Sequence, residues 1–181
     1  MRINHYSNAF NKNRTMDLNE TKVKAKSLKQ NSVQKRLLIG NVNTTIASPS
    51  SHRIGFTAVT TDHQMHMGID HTVHFPKVIT NVGNGFDPFT GIFRAPVSGL
   101  YLISASILSH SGQEVRCAIT KNGGDIANIF SGDSTTYSTG AKSVLLDLVA
   151  NDDVWVKIFG RNDVHIYGYS WSSFMGVLIS P

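Results

Sequence analysis

The stretch FPKVITNVGNGFDPFTGIFRAPVSGLYLISA, residues 75–105, decides the fold. Aromatic rings stand at 75, 86, 89, 93 and 101, with Gly or Pro at 76, 83, 85, 88, 91, 96 and 99. Gly and Pro interrupt helices and central strands alike. Only very short strands and corners fit between such breaks. Each ring is expected to drop between two sheets, where one aromatic side chain buries on the order of 150–250 Å2.

The same texture runs from Ile54 to the end of the chain. Segments rich in Val, Ile, Thr and aromatics recur every ten or so residues, separated by Gly, Asn, Asp and Pro. That spacing predicts an all-β sandwich. Strands are expected near 54–60, 72–80, 91–95, 99–109, 114–121, 126–130, 140–149, 153–160 and 171–179. KNGG (121–124) reads as a hairpin turn, because Asn-Gly readily supplies positive φ. ANDDV (150–154) reads as a second tight turn. No segment after 54 carries a convincing helical period.

Several strands are apolar on both faces. In 99–109, Tyr101, Ile103, Ala105 and Ile107 share one face, and Leu100, Leu102 and Leu108 share the other with two serines. VLLDLV (144–149) is apolar throughout except for Asp147, and VWVKIF (154–159) sets Trp155 and Phe159 opposite Val154, Val156 and Ile158. A strand with one solvated face should alternate cleanly, so this pattern implies cover on both sides. With no helix to supply it, the expected cover is another copy of the chain. Leu100, Leu102, Trp155 and Phe159 are the expected interface residues.

Composition sets the remaining bounds. The chain has 181 residues, 40% of them hydrophobic, enough for one domain and an additional segment. No apolar run approaches the roughly 20 residues that span a bilayer, and the first residues lack the apolar core of a secretory signal. Residues 1–53 hold ten Lys/Arg against Asp17 and Glu20, a net +8, whereas the remainder nets −3. Basicity thus belongs to the N-terminal segment, and the mildly acidic body argues against a nucleic-acid footprint. Residues 1–53 are expected as a mostly disordered basic tail, with a short oligomerising helix as the alternative. Asn13, Asn19 and Asn43 begin sequons and are candidate glycosylation sites. The single cysteine, Cys117, rules out a disulfide within the chain and reads as a buried, inert thiol, with an interchain bridge as the alternative.

The positions Phe75, Asn81, Phe86, Phe93, Gly99 and Tyr101 resemble, in residue and interval, the signature of the globular head domain of complement component 1q. GFTAV (55–59), TGIFRAPVSGLY (90–101), ITKNG (119–123), SVLLDLVANDDVWV (143–156) and SFMGVLI (173–179) resemble further landmarks of that family in the same order. The resemblance covers residues 54–181. It implies a ten-stranded, two-sheet jelly roll like that of tumour-necrosis-factor ligands, assembling as a compact homotrimer. It also implies a secreted, extracellular protein, although no signal peptide is visible. Ile103 and Ala105 depart from the aromatics usual in the family, and Asn151 replaces its turn glycine.

Three sets of residues carry candidate chemistry. His63, His66, His71 and His74 fall within twelve residues, and imidazole suits zinc or copper. Their spacing matches no established tetrahedral motif, and a solvated surface is the plainer reading. Asp125 and Asp133 could hold calcium near a trimer axis, as the resemblance implies for some members. Tyr137, Arg161, Asp163, Tyr167, Tyr169 and Trp171, in two polar loops, make a plausible ligand-binding surface, since rings stack on sugar faces. No catalytic motif stands out. The function expected is non-enzymatic, multivalent recognition of microbial or other repetitive surface ligands, glycans or proteins, with no cofactor required. The alternatives are a secreted receptor ligand of tumour-necrosis-factor type and a histidine-mediated metal-binding or matrix protein.

Overall fold

A computed structural model describes residues 53–181. The reading of the N-terminal segment, apart from Arg53, and of the sequons at Asn13, Asn19 and Asn43 lies outside the described residues. The described residues form twelve strands: β1 (Gly55–Val59), β2 (Gln64–Met67), β3 (Lys77–Val82), β4 (Phe86–Asp87), β5 (Ile92–Arg94), β6 (Gly99–Ser109), β7 (Glu114–Lys121), β8 (Gly124–Gly132), β9 (Ser138–Leu148), β10 (Asp153–Ile158), β11 (Val164–Ile166) and β12 (Ser173–Ser180). Twelve stand where ten were expected; β2, β4 and β11, four, two and three residues long, match none of the spans read from the sequence.

Every pairing is antiparallel. One sheet runs β2-β11-β6-β12-β1-β3, with β9 on the other edge of β6; the second runs β4-β5-β10-β7-β8. Period-two alternation builds β6 as expected: Tyr101, Ile103, Ala105 and Ile107 are buried, and the residues between them face away from the core. The hairpin at 121–124 has φ of 49° at Asn122 and 90° at Gly123, and Asn151 adopts φ 74° in the second predicted turn.

The core explains the signature of residues 75–105. Phe56 stacks on Phe86 and Phe93 with ring centroids 4.8 and 4.7 Å apart, and meets Phe174 edge-on at 4.9 Å. Phe75 and Tyr101 complete the buried aromatic set, and the Tyr101 hydroxyl donates to the Val97 carbonyl at 2.8 Å. Asn81 clamps a corner: its Nδ2 donates to Phe86 O at 2.8 Å, and its Oδ1 accepts from Phe86 N at 3.1 Å. Phe89 breaks the rule. It is 89% exposed in the turn between β4 and β5, where its backbone N–H donates to Asp87.

The strand expected over 72–80 is two things. Thr72 bridges to Lys157 of the five-stranded sheet, and Val73 N–H donates to Val156 O, whereas Lys77–Val82 pairs with β1 in the other sheet. The intervening residues cross between the sheets and bury Val73 and Phe75 on the way. Cys117 is buried mid-strand in β7, and burial pushes its thiol pKa up.

Candidate recognition surface

The outward face of the seven-stranded sheet is assembled by register. Leu102 of β6 pairs with Leu145 of β9 and Val177 of β12, Val177 pairs with Gly55 of β1, and Gly55 pairs with Val82 of β3. Directly opposed residues share a face, so Leu145, Leu102, Val177 and Val82 form one row. Leu145 is 59% exposed and Val82 43%. Leu100 lies at one end of this row's β6 column, and Ser104 and Ser106 follow toward the other, with the Ser143 hydroxyl donating to Ser104 Oγ at 2.9 Å. The face thus runs from a leucine end through a serine middle.

Its far end is aromatic. Leu108, Tyr137, Thr139, Tyr167 and Trp171 line a recess of about 300 Å3. Leu108 and Thr139 pair between β6 and β9, so the recess continues the same face. Its rim is a cluster of rings that meet edge-on or tilted: Tyr137 and Tyr167 lie 5.0 Å apart, His63 lies 4.5 Å from Tyr167 and 5.1 Å from Tyr169, and His110 lies 5.8 Å from both Tyr137 and Tyr167. A tight turn at 168–171 presents two of the rings. Tyr169 and Ser170 adopt φ of 54° and 64°, held by their N–H groups donating to Thr61 O and Thr60 O. Tyr169 and Trp171 are left 65% exposed each. Non-glycine residues with positive φ persist only where the surroundings impose them.

Four of the six expected ligand residues, Tyr137, Tyr167, Tyr169 and Trp171, therefore gather in one place. Arg161 and Asp163 do not join them. Arg161 reaches toward Glu114 at 3.8 Å beside a second groove formed with Phe130 and Asp133. Asp163 accepts from His66 Nδ1 at 2.6 Å and lies 3.4 Å from His165 Nε2. The His66 contact, with a smaller contribution from His165, holds the Asp163 carboxyl below its ordinary range. Leu108, Thr139 and His110 were not singled out from sequence as part of this surface; the register of β6 with β9, which one strand alone does not carry, places Leu108 and Thr139 there.

The four clustered histidines do not converge. His63 sits in the aromatic rim, with its Nδ1 accepting from Gly168 N–H. His71 Nδ1 accepts from Gly68 N–H. His74 is exposed, its backbone tied to the Gln64 side chain. His63 also meets His110, with ring centroids 5.7 Å apart, but among the described residues only His66 of the four joins a group of three possible ligands, with Asp163 and His165, about a hundred positions away in the chain. Asp125 and Asp133 cannot share an ion within one chain. They bracket β8 at opposite ends, roughly 26 Å apart at the usual strand rise. Asp125 pairs with Lys157 at 3.0 Å. Asp133 accepts from the backbone and hydroxyl of Thr135 and from Thr136 N–H, and these bonds hold its carboxyl low.

The expected interface residues also divide. Leu100 and Leu102 lie on the outward face of the seven-stranded sheet, whereas Trp155 and Phe159 alternate with the buried Val154, Val156 and Ile158 and lie on the outward side of the five-stranded sheet. They stand on opposite sides of the sandwich, so one seam can contain all four only if one face of a protomer meets the other face of its neighbour, the head-to-tail arrangement of a ring. Period-two reasoning found the two-faced strands without saying which sheet each one joins.

The C1q domain family model matches residues 55–179. Complement C1q tumor necrosis factor-related protein 3 of Mus musculus and of Homo sapiens are each 35% identical over 107 residues, 58% of this chain and 43% of the relative. The match thus spans less than half the length of these curated relatives. Among solved structures, the globular domain of zebrafish complement 1qA protein is similar with a TM-score of 0.57 at 20% identity, covering 70% of this chain and 97% of that one. Murine APRIL gives 0.57 at 15% identity, covering 70% and 99%, and Eiger TNF from S. frugiperda gives 0.59 at 13%, covering 71% and 93%. At these identities the likeness is one of fold, and the fold is the jelly roll. A two-sheet antiparallel sandwich, a buried aromatic signature clamped by Asn81 and a family match over residues 55–179 make this chain a member of the C1q domain family.

Proposed function

We propose that this domain is a non-enzymatic, homotrimeric and secreted recognition head that binds repetitive ligands on microbial or cell surfaces. The observation that carries the reading is the apolar outward face of the seven-stranded sheet, with Leu145 59% and Val177 38% exposed on a single chain. An antiparallel sheet whose outer face meets water should be polar there. A contiguous apolar row is a protein-interaction surface, and a second copy is the simplest partner able to cover the same patch on every chain. Three identical heads convert weak single sites into avidity, a gain on the order of 10²–10⁴. The exposed rings Tyr169 and Trp171 suit ligands with flat apolar faces, such as sugars, with Tyr137 and Tyr167 beside them in the lining of the recess.

The test compares binding of the full chain to a glycan array and to polysaccharide-coated beads. Tyr169→Ala/Trp171→Ala should weaken binding at least tenfold without changing the oligomeric state. Leu145→Asp should lower bead binding by the avidity factor while sparing monovalent binding. Saturable binding to one cell-surface protein, with no glycan signal, would instead favour a receptor ligand. Loss of the oligomer in Tyr169→Ala/Trp171→Ala would assign the aromatic end to the subunit seam.

A further inference from the structure

We infer that His66, Asp163 and His165 form a binding site for a d-block divalent cation, zinc or copper, at the β2 edge of the seven-stranded sheet. The inference goes beyond the recognition reading and does not depend on it. Among the described residues, these three offer one ligand atom each, all within 4.8 Å of one another. Two imidazole nitrogens and a carboxylate oxygen are the donor set of many zinc and copper sites. In a tetrahedral zinc site neighbouring ligand atoms stand about 3.3 Å apart. The 2.6 Å and 3.4 Å separations from Asp163 Oδ1 lie on either side of that value, and the exposed His66 and Asp163 side chains supply the movement that closes the remaining pair, which lies within 4.8 Å.

The chain has built this meeting. β2 and β11 pair at Val164↔Met67 and Ile166↔Gln64, so two residues of β2, Met65 and His66, oppose the single residue His165. That is a bulge, a device that re-aims side chains. His66 carries the extra residue's positive φ, 55°, and Asp163 enters β11 at φ 62°. His165 alternates with the core residues Val164 and Ile166 and so points outward toward His66, the two rings lying 4.8 Å apart edge to face.

A second observation points to a ligand. His165 is 15% exposed, and its Nε2 is buried with no hydrogen-bond partner, although a carboxylate oxygen lies 3.4 Å away. A buried polar atom without a partner is uncommon and calls for a cause. If that nitrogen carries its lone pair toward Asp163, two electron-rich atoms face each other, and a cation between them satisfies both. His66 and Asp163 are 76% and 70% exposed, which leaves an entry path and room for water in the fourth position. In the metal-free form His66 Nδ1–H donates to the carboxylate. Ligation through Nδ1 places that proton on Nε2, a tautomer shift of neutral imidazole that solvent exchange permits. Both imidazoles must be neutral to bind, so affinity falls in acid.

The test is zinc titration by calorimetry of the full, chelator-treated chain. His66→Ala, His165→Ala and Asp163→Asn should each remove one and the same equivalent of zinc, and His66→Ala/His165→Ala should remove no more than either alone. The triple variant His63→Ala/His71→Ala/His74→Ala should keep that equivalent. Cobalt should give visible d–d absorption with the wild type and lose it in the same three variants. An unchanged zinc equivalent in His66→Ala and Asp163→Asn, both at exposed positions that folding tolerates, would overturn the site even if His165→Ala misfolds. Because the readout is metal bound per chain, it is independent of oligomeric state and of glycan binding.

Discussion

Asn81 illustrates how much one polar side chain can fix. Its amide closes the loop from β3 to β4 by bonding both backbone groups of Phe86, and so sets the ring that stacks on Phe56. Asn81→Ala leaves a half-buried N–H and C=O unpaired and should lower stability by about 1–3 kcal/mol. Urea unfolding of the two proteins checks this, and Asn81→Asp, which keeps only the acceptor, should fall between them. The position was legible in the sequence as a spaced Asn between aromatics; the clamp was not, because spacing does not show which backbone groups need partners. Phe89 makes the converse point. It has the same residue type as its buried neighbours, but a turn of four residues has no interior in which to hide it.

Acid stability belongs to the residue scale as well. Asn122 Nδ2 donates to Asp152 at 2.7 Å, Lys121 Nζ lies 2.9 Å away and Val149 N–H donates at 2.8 Å, which together pull the carboxyl down to about 2. The folded value lies below the unfolded value of 3.8, so the contribution is present above the unfolded value and is lost as pH falls through about 2. Melting curves between about pH 5 and pH 2 should therefore show a shallower fall for Asp152→Asn than for the wild type. Equal slopes would remove Asp152 from the acid limb.

At the scale of elements, β6 organises the seven-stranded sheet, with β12 and β11 along one edge and β9 along the other. Its entry is tight. A Cβ on Gly99, which has φ 153°, would collide with the Ser180 carbonyl and with the Leu178 side chain. Gly99→Ala should therefore destabilise the domain and loosen the end of β12. Hydrogen exchange should show this as lost protection at Val177 and Leu178, with β7 and β10 unaffected. The long strands β6, β7, β9 and β12 were legible because eight to eleven residues carry several periods of alternation. β2, β4 and β11 were not, since two to four residues hold too little alternation to read. The segment 72–76 misled for another reason: it is extended and buried, as a strand is, while passing from one sheet to the other.

At the scale of the whole molecule, the sequence carried the two-sheet architecture and the presence of surplus apolar surface. It did not carry the division of that surface between the two sides of the sandwich. Leu102 and Trp155 look alike as outward residues of two-faced strands, and only the sheet each strand joins separates them. The aromatic end and the leucine end of one sheet face share a register that no local pattern reveals. The bulge that brings His66 to His165 is likewise a property of the pairing of β2 with β11. Self-association through this face is the claim on which the recognition reading rests. Its most direct measurement is sedimentation equilibrium at low micromolar concentration, comparing the wild type with Leu102→Asp/Leu145→Asp. The account predicts a mass of three chains for the wild type and one for the folded variant. A wild type that sediments as a single chain would contradict it.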